Sequence, residues 1–222
     1  MEFGVIFDWD GVVIDSSSLH AKSWDLLAEE ENRELPHDHF KKGFGRKNIH
    51  IIPEILRWTD DADEVVRLSQ RKEALYRELI RKEGVVALPG VAVLLQSLQD
   101  AGIPCCVGSS TDRENIELAL EVLGLRPFFA DIVSAEDVKE GKPHPDVFLK
   151  AAARLGLPPS ACVVVEDAHV GIEAAQAGGM AVVAVATTHP LESLQGADRA
   201  VATLEAISPE DFEILVGQAT AQ

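Results

Sequence analysis

The sequence predicts an α/β fold in which a doubly wound parallel sheet carries an inserted all-helical unit. From residue 91 onward, short apolar runs alternate with segments of helical periodicity, which is typical of parallel strands covered by helices. Between the first apolar run and residue 88, by contrast, apolar residues follow helical spacing only. We therefore expect a Rossmann-like core domain formed by residues 1–15 and 88–222, and a helical domain formed by residues 16–87.

The first apolar run, from Phe3 to Phe7, ends at two carboxylates one residue apart. Such a run is typical of a buried strand, and Gly11 allows the chain to turn soon after it. Asp8 and Asp10 would then lie at the carboxyl end of the strand, where open α/β sheets bind ligands. Two like charges this close require a proton or a cation, and oxygen ligands favour Mg²⁺. The alternative is a strand that ends in an acidic turn.

Helical spacing dominates the insertion. Leu19 and Leu27 belong to one helical segment, and a second extends from Val65 to Leu79. Pro36 and Pro53 interrupt the pattern, as expected between helices.

The rest of the chain alternates between helix and strand. The pattern predicts helices over 91–100, 112–123, 145–156 and 170–177, and strands over 103–107, 132–133, 162–165 and 180–186. Thr111 and Glu114 have the spacing of a capping box at the start of the second of these helices. We expect the chain to end in a short helix and a frayed tail.

Polar residues follow two of these strands. Ser109 stands between a strand and a helix, where a hydroxyl and free N–H groups can bind an anion; an ordinary strand-to-helix turn is the alternative. Glu166 and Asp167 end another strand in the same way as Asp8. We expect Asp167 to bind the metal directly and Glu166 to bind it through water or to orient it. A capping turn is the alternative for this pair.

Lys142 lies in the sequence Gly141-Lys142-Pro143. The proline restricts the backbone, so the loop that carries the lysine is stiff. A solvated surface lysine is the alternative, since most lysines are exposed.

Four motifs occur in order along the chain: Asp8-Trp9-Asp10-Gly11, Gly108-Ser109-Ser110-Thr111, Gly141-Lys142-Pro143 and Glu166-Asp167. Through them the chain resembles, nearly end to end, the haloacid dehalogenase superfamily of phosphotransferases, in particular its β-phosphoglucomutase-like branch. The resemblance implies that Asp8 is the nucleophile and Asp10 the general acid and base. It also implies that the backbone carbonyl of Asp10 binds Mg²⁺.

The same resemblance assigns the phosphate-binding groups. Ser109 and the backbone of Ser110 would hold the phosphoryl oxygens, and Lys142 would neutralise charge on the transferring group. In this family a helical cap closes over the site and sets specificity. His20, Arg46 and Lys72 stand where the mutase-like branch has substrate-facing residues, and Arg46 could bind a second phosphate. The alternative is that these three are polar surface residues.

The resemblance leaves two enzymatic activities open. If water takes the phosphoryl group, the protein is a phosphatase of a small phosphorylated metabolite, with a sugar phosphate as the expected substrate. If a sugar phosphate takes it, the protein is a β-phosphoglucomutase. We favour the phosphatase because the segment Thr187–Pro190 is more similar to that group. A receiver-type signalling domain is a further alternative, but its acidic pair should not follow the first strand. The sequence has no G-x-G-x-x-G or P-loop motif.

Composition limits the partners. The net charge of −17 argues against binding to nucleic acid or to an anionic membrane, so a phosphate site must be locally positive. No signal peptide or long apolar segment is evident, and the three cysteines suggest free thiols, so we expect a cytoplasmic protein. The sequence leaves the oligomeric state open and is compatible with a monomer.

Overall fold

The strands follow the order of the chain as β1 (Gly4–Phe7), β2 (Ile14–Asp15), β3 (Val86–Ala87), β4 (Cys105–Gly108), β5 (Phe129–Val133), β6 (Cys162–Glu166), β7 (Ala181–Val185) and β8 (Arg199–Val201). They are taken from a computed structural model that describes residues 2–43 and 46–219. All except β2 and β3 form one parallel sheet in the order β5-β4-β1-β6-β7-β8. The expected strands over 103–107, 162–165 and 180–186 are confirmed as β4, β6 and β7.

The helices are α1 (Ser17–Glu30), α2 (His39–Gly43), α3 (Asn48–His50), α4 (Ala62–Glu83), α5 (Val91–Asp100), α6 (Arg113–Leu123), α7 (Asp146–Leu155), α8 (His169–Ala177) and α9 (Pro209–Ala219). The four helices expected after residue 90 are confirmed as α5 to α8. The expectation of a frayed tail falls on residues 220–222, which lie outside the described residues. No helix in the described ranges has both the length and the apolar composition that crossing a membrane requires.

The chain divides into two units. The core unit consists of Met1–Asp15 and Val85–Gln222, and the helical unit consists of Ser16–Gly84. The short strands β2 and β3 pair antiparallel, and the Leu88 N–H donates to the Val13 carbonyl. This ribbon joins the two segments of the core unit on either side of the insertion, so the observed boundary lies at residue 84, whereas the sequence placed it at 87.

Strand β1 lies at the centre of the sheet and sets the position of the polar residues that follow it. Phe7 pairs with Val107 of β4 on one side and with Val165 of β6 on the other. Because the strands are parallel and in this register, Asp8, Gly108 and Glu166 reach the same edge of the sheet. The chain builds β4 and β5 on one side of β1 and then crosses to build β6, β7 and β8 on the other. The edge beside β1 is therefore the topological switch point, where doubly wound sheets bind ligands.

Both faces of this sheet are covered, as the doubly wound fold requires. Ile6 and Val164 point to one face, where they pack in a cluster with Phe148 of α7 and Ile172 of α8. Successive strand residues point to opposite faces, and all of β6 is buried. Such strands read as continuous apolar runs because water reaches neither face.

The sequence did not predict β8. This strand has three residues, of which Ala200 is exposed, and it pairs with β7 at the edge of the sheet. Three residues with one arginine among them give no strand signal, and an edge strand this short buries little side-chain surface.

The helical unit has its own apolar core, which includes Trp24, Leu27, Ile52 and Leu68. Helices α1 and α4 pack against each other, and ion pairs bridge their exposed edges. The Arg67 guanidinium lies 2.8 Å from Glu31, and that of Arg71 lies 2.6 Å from Glu30. Exposed pairs of this kind contribute little to stability, so burial of the apolar faces holds the helices together.

Candidate active site at the carboxyl edge of the sheet

Three carboxylates meet where β1 and β6 end. Oxygen atoms of Asp8, Glu166 and Asp167 all lie within 4.8 Å of one another, and the three residues are buried. Asp8 follows β1 directly and its N–H donates to the carbonyl of Val165, which ties the end of β1 to β6. The two acidic strand ends that the sequence singled out are therefore adjacent.

Lys142 provides a positive charge inside this acidic cluster. Its ammonium lies 2.9 Å from Asp8 Oδ1 and 2.6 Å from Glu166 Oε1, and its side chain is only 8% exposed. The ammonium also lies 4.7 Å from the centroid of the Phe148 ring, a cation–π contact. Burial tends to lower the pKa of Lys142, but attraction to Asp8 and Glu166 outweighs burial and raises it. Lys142 is therefore a buried cation and not a solvated surface lysine.

The charges of the cluster do not balance. Three carboxylates face one ammonium, so two negative charges remain uncompensated when all four groups are ionised. Burial raises the pKa of Asp8, with Lys142 opposing and Glu166 adding to the rise. Burial also raises the pKa of Asp167, and both neighbouring carboxylates add to it. A divalent cation would supply the missing charge, and an all-oxygen donor set suits Mg²⁺. The residues present therefore fit this ion.

Glu166 is held more firmly than the other two carboxylates. Its Oε1 accepts from Lys142, and its Oε2 accepts from the N–H groups of Asp167 and Ala168, each at 2.6 Å. A Cβ atom on Gly171 would lie 1.6 Å from Glu166 Oε1, so only glycine leaves room for this carboxylate. These contacts make Glu166 an orienting residue for Lys142.

Asp10 lies outside the three-carboxylate cluster. The hydroxyl of Thr111 donates to Asp10 Oδ2. The expectation that Thr111 caps α6 is wrong, because Asp112 occupies the N-cap position and no side-chain cap bond forms. Because the spacing of Thr111 and Glu114 matches a capping box, the sequence did not indicate that Thr111 contacts Asp10, the candidate general acid and base.

Ser109 is buried directly after β4, the other neighbour of β1. Its N–H donates to the carbonyl of Val133, and its hydroxyl oxygen accepts from the Thr111 N–H at 3.2 Å. The hydroxyl can therefore still donate its proton. Ser110, the next residue, is exposed.

Thr188 is a second residue that the sequence analysis did not assign to the site. It follows β7, and its hydroxyl donates to Asp167 Oδ2. The position of Thr188 after another strand of the parallel sheet could have assigned it to the site, because these strands all end at one edge.

The helical unit brings together two of its three expected substrate residues. Lys72 is buried with 3% of its side chain exposed, and its ammonium lies 2.7 Å from His20 Nδ1 and 2.9 Å from Glu73 Oε1. The same Glu73 oxygen accepts from Asn48 at 2.7 Å. The His20 ring stacks on that of Tyr76, with centroids 4.0 Å apart. Burial tends to raise the pKa of Glu73, but attraction to the Lys72 ammonium and the hydrogen bonds from Lys72 and Asn48 outweigh burial and lower the pKa.

Arg46 takes no part in this network. Its guanidinium donates to Glu54, which also lies 3.2 Å from His50 Nδ1. Since an ammonium is only a donor, the His20 Nδ1 that faces Lys72 must accept, which places the His20 proton on Nε2.

Known proteins share the family and the fold. The family model of haloacid dehalogenase-like hydrolases matches residues 4–179. The chain is 38% identical over 215 residues to the chloroplastic 5-amino-6-(5-phospho-D-ribitylamino)uracil phosphatase of Arabidopsis thaliana, which covers 96% of this chain but 57% of that longer protein. It is 32% identical over 205 residues to hexitol phosphatase A of Escherichia coli, covering 92% of this chain and 93% of the relative. The crystal structure of a β-phosphoglucomutase from Clostridium difficile has a TM-score of 0.85 at 26% identity, with 100% of both chains covered.

Proposed function

The chain belongs to the haloacid dehalogenase-like hydrolase family, and we propose that it is a Mg²⁺-dependent phosphatase of a small phosphorylated metabolite, with a sugar phosphate as the first choice of substrate. The observation that carries this proposal is the contact of Asp8 with Lys142 inside the acidic cluster. A buried carboxylate beside a fixed cation, with further carboxylates within reach, is suited to phosphoryl transfer.

We assign Asp8 and Asp167 as the carboxylates that hold Mg²⁺, with the backbone carbonyl of Asp10 as a further ligand and Glu166 as the orienting residue. Bound Mg²⁺ would neutralise charge on the phosphoryl oxygens and help to align the substrate.

In the first step, a carboxylate oxygen of Asp8 attacks the phosphorus atom. The new bond joins this oxygen to phosphorus, and the bond from phosphorus to the leaving oxygen of the substrate breaks. Asp10 donates its proton to that leaving oxygen, so the product departs as a neutral hydroxyl. Asp10 must be protonated at this point, and the Thr111 hydroxyl, which donates to Oδ2, holds its side chain in place.

In the second step, water attacks the aspartyl-phosphate. Asp10, now ionised, takes a proton from the water as the new oxygen–phosphorus bond forms. The bond between Asp8 and phosphorus breaks, which releases inorganic phosphate and regenerates the Asp8 carboxylate. Lys142 keeps its proton throughout and attracts the phosphoryl oxygens, while the Ser109 hydroxyl donates to one of them. The transition state is loose, so positioning and charge carry most of the catalysis.

We further propose that the helical unit contributes His20 and Lys72 to substrate recognition. Support comes from their position in one network, in which the His20 proton lies on Nε2. Arg46 stays assigned to a second anionic group of the substrate, for which it would have to exchange Glu54 for that group.

The second candidate function is β-phosphoglucomutase, in which a sugar phosphate replaces water in the second step. Similarity over the whole chain to the Clostridium enzyme favours it, whereas the chloroplastic phosphatase is more similar in sequence. The test supplies β-glucose 1-phosphate with a trace of glucose 1,6-bisphosphate. A phosphatase releases free phosphate and glucose; formation of glucose 6-phosphate without matching phosphate would support the mutase.

A panel of phosphorylated sugars, sugar alcohols and nucleotides, assayed with and without Mg²⁺, tests the phosphatase directly. We expect turnover that depends on Mg²⁺ and is abolished in Asp8→Asn, while Asp60→Asn in an exposed loop serves as the matched control. A receiver-type signalling domain would give no turnover of p-nitrophenyl phosphate under these conditions.

A further inference from the structure

The segment that follows β7 reaches into the acidic cluster. We call this segment, Thr187–Pro190, the β7 loop. The hydroxyl of half-buried Thr188 donates to Asp167 Oδ2. A Cβ atom on Gly11 would lie 2.0 Å from that carboxylate oxygen and 3.0 Å from the Thr188 hydroxyl. The hydroxyl and the carboxylate are therefore packed against the turn that follows Asp10.

A second contact fixes the β7 loop at the next residue. The ring of His189 lies against that of His169, with the centroids 4.6 Å apart and the planes inclined by 46°. His169 opens α8, two residues after Asp167. The loop thus contacts the turn between β6 and α8 at two points: Thr188 holds the carboxylate, and His189 holds the start of the helix.

The contact restricts how Asp167 can move. An aspartate side chain at the end of a strand can rotate about its Cα–Cβ bond, and Asp167 has like-charged neighbours in Asp8 and Glu166 that favour rotation away from them. A donor on Oδ2 opposes this rotation and keeps Asp167 turned toward the cluster. Partners that orient metal-binding carboxylates commonly change metal affinity by about 10- to 100-fold when they are removed.

We propose that Thr188 is a positioning residue for Asp167 and that the ring of His189 holds Thr188 in place, so that the β7 loop sets the affinity of the site for Mg²⁺. This proposal rests on the function proposed above, in which Asp167 holds the ion. Thr188 itself touches neither substrate nor metal in this scheme.

The test measures Mg²⁺ binding without substrate, as the rise in melting temperature during titration with MgCl₂. We expect Thr188→Val, which keeps the shape and removes the hydroxyl, to raise the half-saturating Mg²⁺ concentration at least about tenfold. Thr188→Ser, which restores the hydroxyl, should return it to near the wild-type value. Thr187→Val removes the hydroxyl of the adjacent, exposed residue and should change nothing.

Equal half-saturation in Thr188→Val and the wild type would overturn the proposal. If the wild type itself shows no response to Mg²⁺, the metal assignment in the proposed function fails, so the two failures are distinguishable. Melting without Mg²⁺ shows whether a variant is folded.

Two variants at His189 test the contact between His189 and His169 separately. They also test the role of the β7 loop in Mg²⁺ binding if Thr188→Val does not fold. His189→Phe keeps a ring against His169 and should bind Mg²⁺ as the wild type does. His189→Ala removes the ring and should weaken binding by about three- to tenfold, below the range for direct loss of the orienting group. Wild-type binding by His189→Ala would remove His189 from the proposal.

Discussion

Gly171→Ala places two physical effects in opposition. Gly171 lies in the first turn of α8, and in an exposed helix alanine is more favourable than glycine by about 1 kcal/mol. Here the added Cβ would lie 1.6 Å from Oε1 and 2.0 Å from Cδ of Glu166. Helix propensity alone therefore predicts a more stable protein, whereas the packing around Glu166 predicts a less stable one.

The contacts of Glu166 decide whether Gly171→Ala raises or lowers the free energy of unfolding. To make room, its carboxylate must leave the ammonium of Lys142 and at least one of the two N–H groups that it accepts from. Hydrogen bonds to charged groups contribute about 1.5–3 kcal/mol each, so loss of two costs about 4 kcal/mol. After subtraction of the helix propensity gain, we expect Gly171→Ala to lower the free energy of unfolding by about 3 kcal/mol.

Urea denaturation followed by circular dichroism measures this change. Gly217→Ala in α9 is the matched control, because no atom lies within 4 Å of its added Cβ, and we expect it to raise stability by up to about 1 kcal/mol. A Gly171→Ala protein as stable as the wild type, or more stable, would refute the reasoning, since Glu166 would then not need its present position.

Three further predictions concern catalysis and pH. Lys142→Met can pack against Phe148 but carries no charge, so it should lower kcat, measured as phosphate release, about 10²- to 10³-fold. The control Lys150→Met, on the outer side of α7, should leave kcat unchanged. An equal loss of kcat in both variants would show a general charge effect. Thr111→Val should lower kcat by releasing Asp10 but leave the half-saturating Mg²⁺ concentration unaltered, so a parallel loss of Mg²⁺ binding would contradict its separate role. Burial raises the pKa of Asp8 to about 7 and that of Asp167 to about 8. A carboxyl group whose pKa is raised by folding binds its proton more tightly in the folded state than in the unfolded state. The metal-free protein should therefore lose stability as the pH rises from about 5 through 8. Melting temperatures at several pH values, with EDTA and with MgCl₂, check this sign: Mg²⁺ should stabilise more at pH 8 than at pH 6, and a metal-free protein that gains stability over this range would contradict it.

The sequence predicted the sheet because β1, β6 and β7 are buried on both faces, so each reads as a continuous apolar run bounded by turn residues. The meeting of Asp8 with Glu166 and Asp167 followed from a rule of topology: parallel strands end at one edge. The sequence could not predict the register between the strands. The pairing of Phe7 with Val165 makes the three carboxylates neighbours.

The sequence did not predict the contacts of polar side chains whose local sequence pattern indicates another role or none. Thr111 matched a capping pattern, yet its hydroxyl contacts Asp10 from across the sheet edge. Thr188 lies in a loop without periodicity, and only the fold brings it to Asp167. Lys72 lies on the apolar stripe of α4, where sequence cannot distinguish a surface lysine from one buried against Glu73 and His20.

The most direct test of the central claim, that Asp8 accepts the phosphoryl group, is to trap the covalent intermediate. The enzyme is quenched with acid during turnover and treated with borohydride, which reduces an acyl phosphate to an alcohol and leaves free carboxylates intact. Peptide mass spectrometry should then find homoserine at position 8, with Asp10 and Asp167 unchanged. Homoserine at either of those two positions, or an Asp8→Asn protein that still turns over substrate, would contradict the mechanism.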